Sequence, residues 1–409
     1  MSTIVMLATS YPRFPGDTVG TFMEPIAHGV AARGHEVHLV LPWHPKVMRP
    51  AREGNVHFHF FRYAPHPSLN VFGYAEGLRE DVALRRAAWL AAPLAALAGI
   101  RMARRVAREV GATVVHGHWV VPGGVMASYA AGDRPLVISL HGSDVYVAER
   151  NPLIGRVTSQ VLFQAAWVTA CSADLRDRAV RLGARPDRSE VIPYGVDAGR
   201  FAPDPSARSR VRAALGLPTD AEVVYTVGRL VRKKGFEHLV DAAARLGVTR
   251  PRLRVVIAGA GDLDAELRAR AERNGVAGTV VFPGLVLHDE VARHLAAADL
   301  VVVPSVRDDS GNVDGLPNVV MEALASGAPI VATPAGGIGA VIEDGVTGCL
   351  VPERDPAALA DAIARLLDAP DTARRMGEAA RRAVLERHGW DRVAERFEAV
   401  YEKAAALPR

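Results

Sequence analysis

Short runs of Val, Ile and Leu recur along this chain without polar alternation, and a stretch of helical periodicity follows each one. In the first half the runs are Ile4–Ala8, Val37–Leu41, Val114–Gly117, Leu136–Leu140, Trp167–Ala170 and Glu190–Pro193. In the second half they are Val223–Gly228, Arg254–Gly259, Thr279–Pro283, Leu300–Pro304 and Ile330–Thr333. A strand with one face in water alternates polar and apolar side chains, whereas a strand covered on both faces does not need to. Such strands alternating with helices predict parallel sheets joined by right-handed crossovers. Because the rhythm occurs twice, the expected fold class is α/β, with two doubly wound Rossmann-like domains facing a cleft.

A length of 409 residues suits two domains. The expected division is residues 1–196, residues 197–388, and a C-terminal helix over 389–409 packing back toward the first domain. The linker falls between Pro193 and Thr219, where Pro193, Pro203, Pro205 and Pro218 interrupt any regular pattern. Hydrophobic residues at 49% rule out a disordered chain. The formal charge of +4, with no basic stripe interleaved with aromatics, argues against nucleic acid as a partner and suits a small anionic ligand. Two cysteines form no disulfide framework, and Met1–Thr9 reads as a strand rather than a secretory leader, so the expected compartment is the reducing cytoplasm. The apolar stretch from Ala87 to Ile100 is too short to span a bilayer as a helix.

Parallel doubly wound sheets bind ligands just beyond the carboxyl ends of their strands. In the second half, Gly228-Arg-Leu-Val-Arg-Lys-Lys-Gly235 joins a strand to an amphipathic helix whose apolar face is Phe236, Leu239, Val240, Ala243 and Leu246. Arg229 and Lys234 beside that helix start suit a diphosphate, although a solvated basic turn has the same spacing. Of the 49 basic residues only Lys46, Lys233, Lys234 and Lys403 are lysines, so an adjacent pair favours the functional reading. After the strand Leu300–Pro304 comes Asp314-Gly-Leu-Pro-Asn-Val-Val-Met-Glu322, in which Gly315 permits close approach and Pro317 suits a first helical residue. A helix is expected from near Leu316 to about Ser326. Asp314 could cap it and Glu322 could lie on its surface; alternatively, each carboxylate could accept from vicinal hydroxyls of one elongated ligand.

Asp314-x7-Glu322 resembles the E-x7-E signature of retaining glycosyltransferase family 4, with Asp where Glu is commoner and hence a shorter reach. Gly228-Arg229 with Lys234-Gly235 is similar to that family's diphosphate loop. Val191-Ile-Pro-Tyr-Gly-Val-Asp197 with Phe201 resembles its domain junction, and Pro334-Ala-Gly-Gly337 with Glu343 and Gly345 its next strand–loop unit. The resemblance implies the two-Rossmann-domain GT-B fold and transfer of a hexose-type sugar, with retention, from a UDP- or GDP-sugar to a glycan, lipid-linked or small-molecule acceptor. It implies that Arg229 and Lys234 neutralise the diphosphate, that Asp314 binds sugar hydroxyls and Glu322 the ribose. The amides of Gly315 and Leu316, with Asn318 at the same helix start, would support the sugar and distal phosphate. Gly259 and Gly261 would let the nucleotide approach, with the base near Leu285, Val286 and Leu287. No metal and no cofactor is implied.

In the first half the resemblance places His141, in His141-Gly-Ser-Asp-Val145, against the donor sugar near the reacting carbon; a histidine that merely holds a loop by hydrogen bonds is the plainer reading. Gly16 and Gly20, in Pro15-Gly-Asp-Thr-Val-Gly-Thr21, would border donor and acceptor, though the family's adjacent glycine pair is missing. His116 and His118 alternate along one strand edge. With no third ligand at a familiar spacing, His118 facing the acceptor is preferred over a zinc site. Arg85, Arg86, Arg101, Arg104, Arg105 and Arg108 flank or follow the Ala87–Ile100 stretch and would suit peripheral contact with the inner membrane face, but a helix packed on the sheet with its arginines in solvent is favoured.

The rivals carry weaker signals. Gly259-Ala-Gly261 lacks the third glycine of a dinucleotide fingerprint and the acid about 20 residues on. Lys234 is followed by Gly rather than Ser or Thr, which excludes a P-loop, and Asp262-Leu-Asp264 reads as helix capping rather than a metal-binding D-x-D. A nucleotide-sugar epimerase of the same fold and a catalytically silent nucleotide-sugar-binding homologue remain as alternatives.

Overall fold

The structure is a computed structural model describing residues 1–407 other than 18, 75–77, 80–82 and 85, so Thr18 and Arg85 of the segments above lie outside the described residues. The chain divides into two compact units. One comprises Met1–Tyr194 with Trp390–Arg409, the other Gly195–Gly389.

The first unit contains β1 (Thr3–Leu7), α1 (Met23–Ala32), β2 (Glu36–Pro42), β3 (Arg52–Glu53), β4 (Val56–Phe61), the small hairpin β5 (Leu78–Arg79) and β6 (Ala83–Leu84), α2 (Arg86–Glu109) and β7 (Val114–His118). These are followed by α3 (Val125–Ala131), β8 (Leu136–Leu140), α4 (Ser143–Arg150), α5 (Pro152–Gln164), β9 (Trp167–Ala170), α6 (Ala173–Arg181) and β10 (Ser189–Val191). The main sheet runs β10-β9-β8-β7-β1-β2-β4-β3 and is parallel except for β3 against β4. Ile4, Val5, Met6 and Leu7 are wholly buried, which explains the unbroken apolar run. The strand order reverses between β1 and its neighbours β2 and β7, so the loop after β1 opens at a topological switch point.

The second unit contains α7 (Ala207–Ala214), β11 (Glu222–Val227), α8 (Phe236–Gly247), β12 (Leu253–Ala258), α9 (Asp264–Arg273), β13 (Val280–Val281), α10 (His288–Ala297) and β14 (Leu300–Val303). It continues with α11 (Asn318–Ala325), β15 (Ile330–Ala332), β16 (Cys349–Leu350), α12 (Pro356–Asp368) and α13 (Pro370–Arg387). Its sheet, β13-β12-β11-β14-β15-β16, is parallel throughout and reverses order between β11 and β14. The apolar face expected of the helix after Gly235 is the face that α8 buries, with Phe236, Leu239, Val240, Ala243 and Leu246 in the core.

Two local expectations need correction. The segment between Pro193 and Thr219 is not all linker: α7 forms inside it and buries Ala207 and Val211 against Ala297 of α10. The helix expected from near Leu316 starts at Asn318, because Pro317 takes an extended ψ of 128° and serves as the flanking cap residue. The arginine-rich stretch is the helix favoured above: α2 packs on α3 and the sheet through Ala95, Ala103, Val106 and Ala107 and leaves Arg101, Arg104, Arg105 and Arg108 exposed. Among the described residues no helix is long and apolar enough to cross a membrane.

The chain ends in α14 (Trp390–Ala405), which returns to the first unit. Val393, Phe397, Val400, Tyr401 and Ala404 join the core formed by Ile4, Met6, Met23, Ile26 and Val30. The helix is therefore part of the first unit's interior and not an appendage. Phe397→Ala should destabilise this unit by about 3–5 kcal/mol, the cost of an aromatic-sized cavity. Urea unfolding reads this directly, and a loss below about 1 kcal/mol would show that α14 is not core.

Candidate active site

In the second unit the loops that leave the carboxyl ends of the strands are tied to one another by main-chain contacts. The Gly228 and Leu230 amides donate to the Ala258 and Ala260 carbonyls, both at 3.0 Å, and the Gly259 amide donates to the Gly284 carbonyl at 2.8 Å. Gly259 has φ of +136°, and a Cβ there would stand 1.9 Å from the Gly228 carbonyl oxygen; at Gly261 a Cβ would stand 2.5 Å from that of Leu230. Both glycines are thus required by the chain's own close approach, a different physical reason from access for a nucleotide. Val286 lies half-buried in the loop after β13, between the exposed Leu285 and Leu287.

On this platform Lys233 Nζ lies 3.0 Å from Asp314 Oδ1, and Lys234 Nζ lies 2.7 Å from Asp314 Oδ2. All three side chains are largely buried. Burial by itself would push the Asp314 carboxyl upward; the charges and hydrogen bonds of Lys233 and Lys234 overcome it and hold the group well below the usual carboxylate range. The Lys233 carbonyl accepts from the Val306 amide at 2.8 Å, so main chain and side chain both bind this turn to the segment after β14. Asp314 does not cap α11, which has no side-chain cap. The buried backbone of Gly315 and Leu316 follows immediately, and Asn318 opens the helix. Arg229 is exposed earlier in the same basic loop.

Glu322 is not a surface residue. It is 8% exposed, and its Oε1 lies 2.8 Å from Nε2 of His288, whose ring packs on Phe201. Lys233 and His288 escaped the sequence reading. The adjacent lysines were a signal for Lys233, whereas nothing near His288 marks it. Asn312 is buried, and its side-chain amide has no hydrogen-bond partner among the described residues, which costs about 1–3 kcal/mol unless a ligand or water satisfies it.

In the first unit, Gly16 and Gly20 lie in the loop between β1 and α1, where Arg13 and Asp17 form a buried ion pair at 2.7 Å. His141 follows β8 at the same end of the sheet. Its Nδ1 lies 2.8 Å from the Tyr194 hydroxyl and its Nε2 lies 3.0 Å from His118 Nδ1, while Phe22 and Trp119 pack against the ring. Both ring nitrogens thus have protein partners, as in the plainer reading of this histidine. His118 was expected to face an acceptor; it is wholly buried behind His141 instead, because β7 lies inside the sheet and not at its edge. His116 is buried as well, 2.9 Å from the Tyr401 hydroxyl of α14 and 2.7 Å from Ser139 Oγ. Burial, followed by neighbouring histidines, lowers His116 and His141 well below the ordinary value, and burial alone brings His118 down to about 3.

Two doubly wound units, each presenting such residues at the carboxyl ends of its strands, match known proteins over the whole chain. Sucrose-phosphate synthase from Thermosynechococcus elongatus superposes with a TM-score of 0.79 at 21% identity, covering 98% of each chain. Anabaena HepE, solved in complex with UDP-glucose, superposes with a TM-score of 0.76 at 22% identity over the full length of both. The fold is that of the GT-B glycosyltransferases. The family described as "Glycosyl transferases group 1" matches residues 207–383, and that described as "Glycosyltransferase Family 4" matches residues 19–200. The chain is 36% identical over 261 residues to a GDP-mannose-dependent alpha-(1-6)-phosphatidylinositol monomannoside mannosyltransferase of Mycolicibacterium smegmatis, covering 64% of this chain and 68% of that protein. It is 30% identical over 422 residues to a glycogen synthase of Mycobacterium tuberculosis, covering 97% and 94%. The chain belongs to glycosyltransferase family 4 and is a glycosyltransferase.

The buried histidines make stability depend on pH. Unfolded His118 titrates near 6.5 and folded His118 near about 3. As pH falls the unfolded chain binds the proton first, so this contribution is complete above about 6.5 and is lost toward about 3, at about 1.4 kcal/mol per pH unit. In His118→Gln the slope of unfolding free energy against pH should fall by about that amount between pH 6 and 4. An unchanged slope would mean that His118 protonates as easily in the fold as out of it.

Proposed function

We propose that the protein transfers a hexose, with retention at the anomeric carbon and without a catalytic metal, from a GDP- or UDP-sugar to a glycan, lipid-linked or small-molecule acceptor. The observation that carries this reading is the Lys233–Asp314–Lys234 cluster, placed directly before the Gly315–Leu316 backbone and the start of α11. Two ammonium groups on one carboxylate leave an excess positive charge where a leaving diphosphate can be neutralised. With donor bound, Lys234 and Arg229 hold the diphosphate, Asp314 accepts from sugar hydroxyls, and the amides of Gly315 and Leu316 with Asn318 support the sugar and distal phosphate. Glu322, oriented by His288, accepts from the ribose, and the base rests near Val286. The bond between the anomeric carbon and the diphosphate breaks as the acceptor oxygen bonds to the same face. The acceptor's proton passes to a departing phosphate oxygen, so no protein base is needed.

On the same reading His141 touches the donor sugar near the reacting carbon, and Gly16 and Gly20 border donor and acceptor. The names of the relatives support both acceptor types: one is named for a phosphatidylinositol monomannoside, another, a D-inositol 3-phosphate glycosyltransferase of Acidothermus cellulolyticus, for a small polyol phosphate. The exposed arginines of α2 would meet an anionic membrane surface if the acceptor is lipid-borne.

Incubation with GDP-mannose and UDP-glucose, acceptors of both types and excess chelator should give a product whose anomeric configuration, read by NMR, is that of the donor. Inversion, or activity restored only by added metal, would overturn the reading. Lys234→Ala should weaken binding of the matching nucleoside diphosphate by about 10- to 100-fold, the value of a charge-assisted contact of about 1.5–3 kcal/mol. Unchanged affinity by calorimetry would remove Lys234 from the phosphate site.

A further inference from the structure

Strands β2 and β4 run side by side with His38 opposite His57. Glu36 is two residues before His38 and so shares its face of the sheet. Glu36 Oε1 lies 3.3 Å from His38 Nε2 and 3.2 Å from His57 Nε2, and the three atoms lie within 4.8 Å of one another. Ligand atoms bonded to tetrahedral zinc at about 2.0–2.1 Å stand about 3.3–3.4 Å apart, so these separations already match edges of a coordination tetrahedron. Both Nε2 atoms are buried and, beyond their contact with Glu36, have no hydrogen-bond partner among the described residues, and the two rings stack at 4.5 Å. His38 Nδ1 lies 3.0 Å from His59 Nε2. With His59 accepting the Nδ1 proton, the lone pair of His38 is placed on Nε2, which is the outer support that metal-binding histidines characteristically receive.

A second acidic and histidine group, Glu24, His28 and Glu53, does not share these features. Arg49 pairs with Glu24 at 2.6 Å and with Glu53 at 3.0 Å, so both of the group's carboxylates already have a cationic partner.

We propose that Glu36, His38 and His57 bind one divalent transition-metal ion, zinc by ligand preference, which clamps β2 to β4, with water completing its coordination. Two imidazoles and one carboxylate select zinc over calcium or magnesium, which prefer all-oxygen shells. The site lies at the amino ends of β2 and β4, whereas His141 and the β1 loop follow the carboxyl ends of their strands. The ion is therefore structural and separate from sugar transfer.

The test uses the full-length chain without a histidine tag, stripped by chelator and titrated with zinc sulfate alone. The wild type should take up one zinc per chain with micromolar or tighter affinity, by calorimetry and elemental analysis, and its melting temperature should rise by several degrees. Glu36→Gln/His57→Gln should lose that equivalent and the thermal shift, while its transfer rate in chelator equals that of the wild type in chelator. Should the double variant fail to fold, cobalt(II) added to the stripped wild type gives an independent reading, because four-coordinate cobalt produces intense visible bands. The proposal is overturned if no stoichiometric zinc binds, if the folded double variant retains it, or if cobalt shows only the pale spectrum of its hydrated ion.

Discussion

Two lysine ammonium groups sharing one buried carboxylate are the interaction around which the second unit's candidate site is organised. A lysine carried into the interior unpaired would lose its proton or disrupt the fold. Lys233 and Lys234 avoid this because Asp314 approaches both within 3.0 Å, and Asp314 stays ionised because both are there. Mutual dependence of this kind fixes the turn after β11 against the segment before α11, a connection the Lys233–Val306 main-chain bond repeats. The loop backbones at Gly259 and Gly261 are packed too closely to admit a side chain. A rigid, positively charged platform results, its charge preorganised rather than recruited, as electrostatic stabilisation of a leaving group requires.

Beneath His141 the first unit uses rows of neutral polar groups. His116, Ser139 and Thr169 form one hydrogen-bonded row across β7, β8 and β9, and Tyr401 of α14 closes its end. His118, His141 and Tyr194 form a second row, in ring contact with the first through His116 and His118. The last helix of the chain therefore supports, through Tyr401 and His116, the floor on which His141 rests. Burial keeps these imidazoles uncharged, so each acts as an uncharged hydrogen-bonding partner near neutral pH.

Much of this was legible in the sequence because it depends on local pattern. The unalternated Ile4–Ala8 and Leu300–Pro304 runs read as strands covered on both faces, and the apolar stripe of α8 could be read residue by residue. Short elements with little apolar content were not legible: α7 is largely arginine and alanine, and proline flanks it, so its dependence on α10 is invisible before folding. At the site, types and spacing marked Lys234, Asp314 and Glu322 but not their pairing. Asp314 could have been a cap and Glu322 a surface residue, and only the approach of Lys233, Lys234 and His288 shows otherwise. His38 and His57 are 19 residues apart and become neighbours through strand register alone, beyond the reach of any motif.

Asp314 holds Lys234 at the position proposed for the diphosphate. A double-mutant cycle of Lys234→Ala and Asp314→Asn, read as nucleoside diphosphate affinity by calorimetry, tests it most directly. Strong non-additivity of about 1 kcal/mol or more is expected, because Asp314 sets the charge and position of the same ammonium that the phosphate is proposed to use. Effects that add within about 0.5 kcal/mol would show the two residues acting independently and would remove Asp314 from the phosphate site.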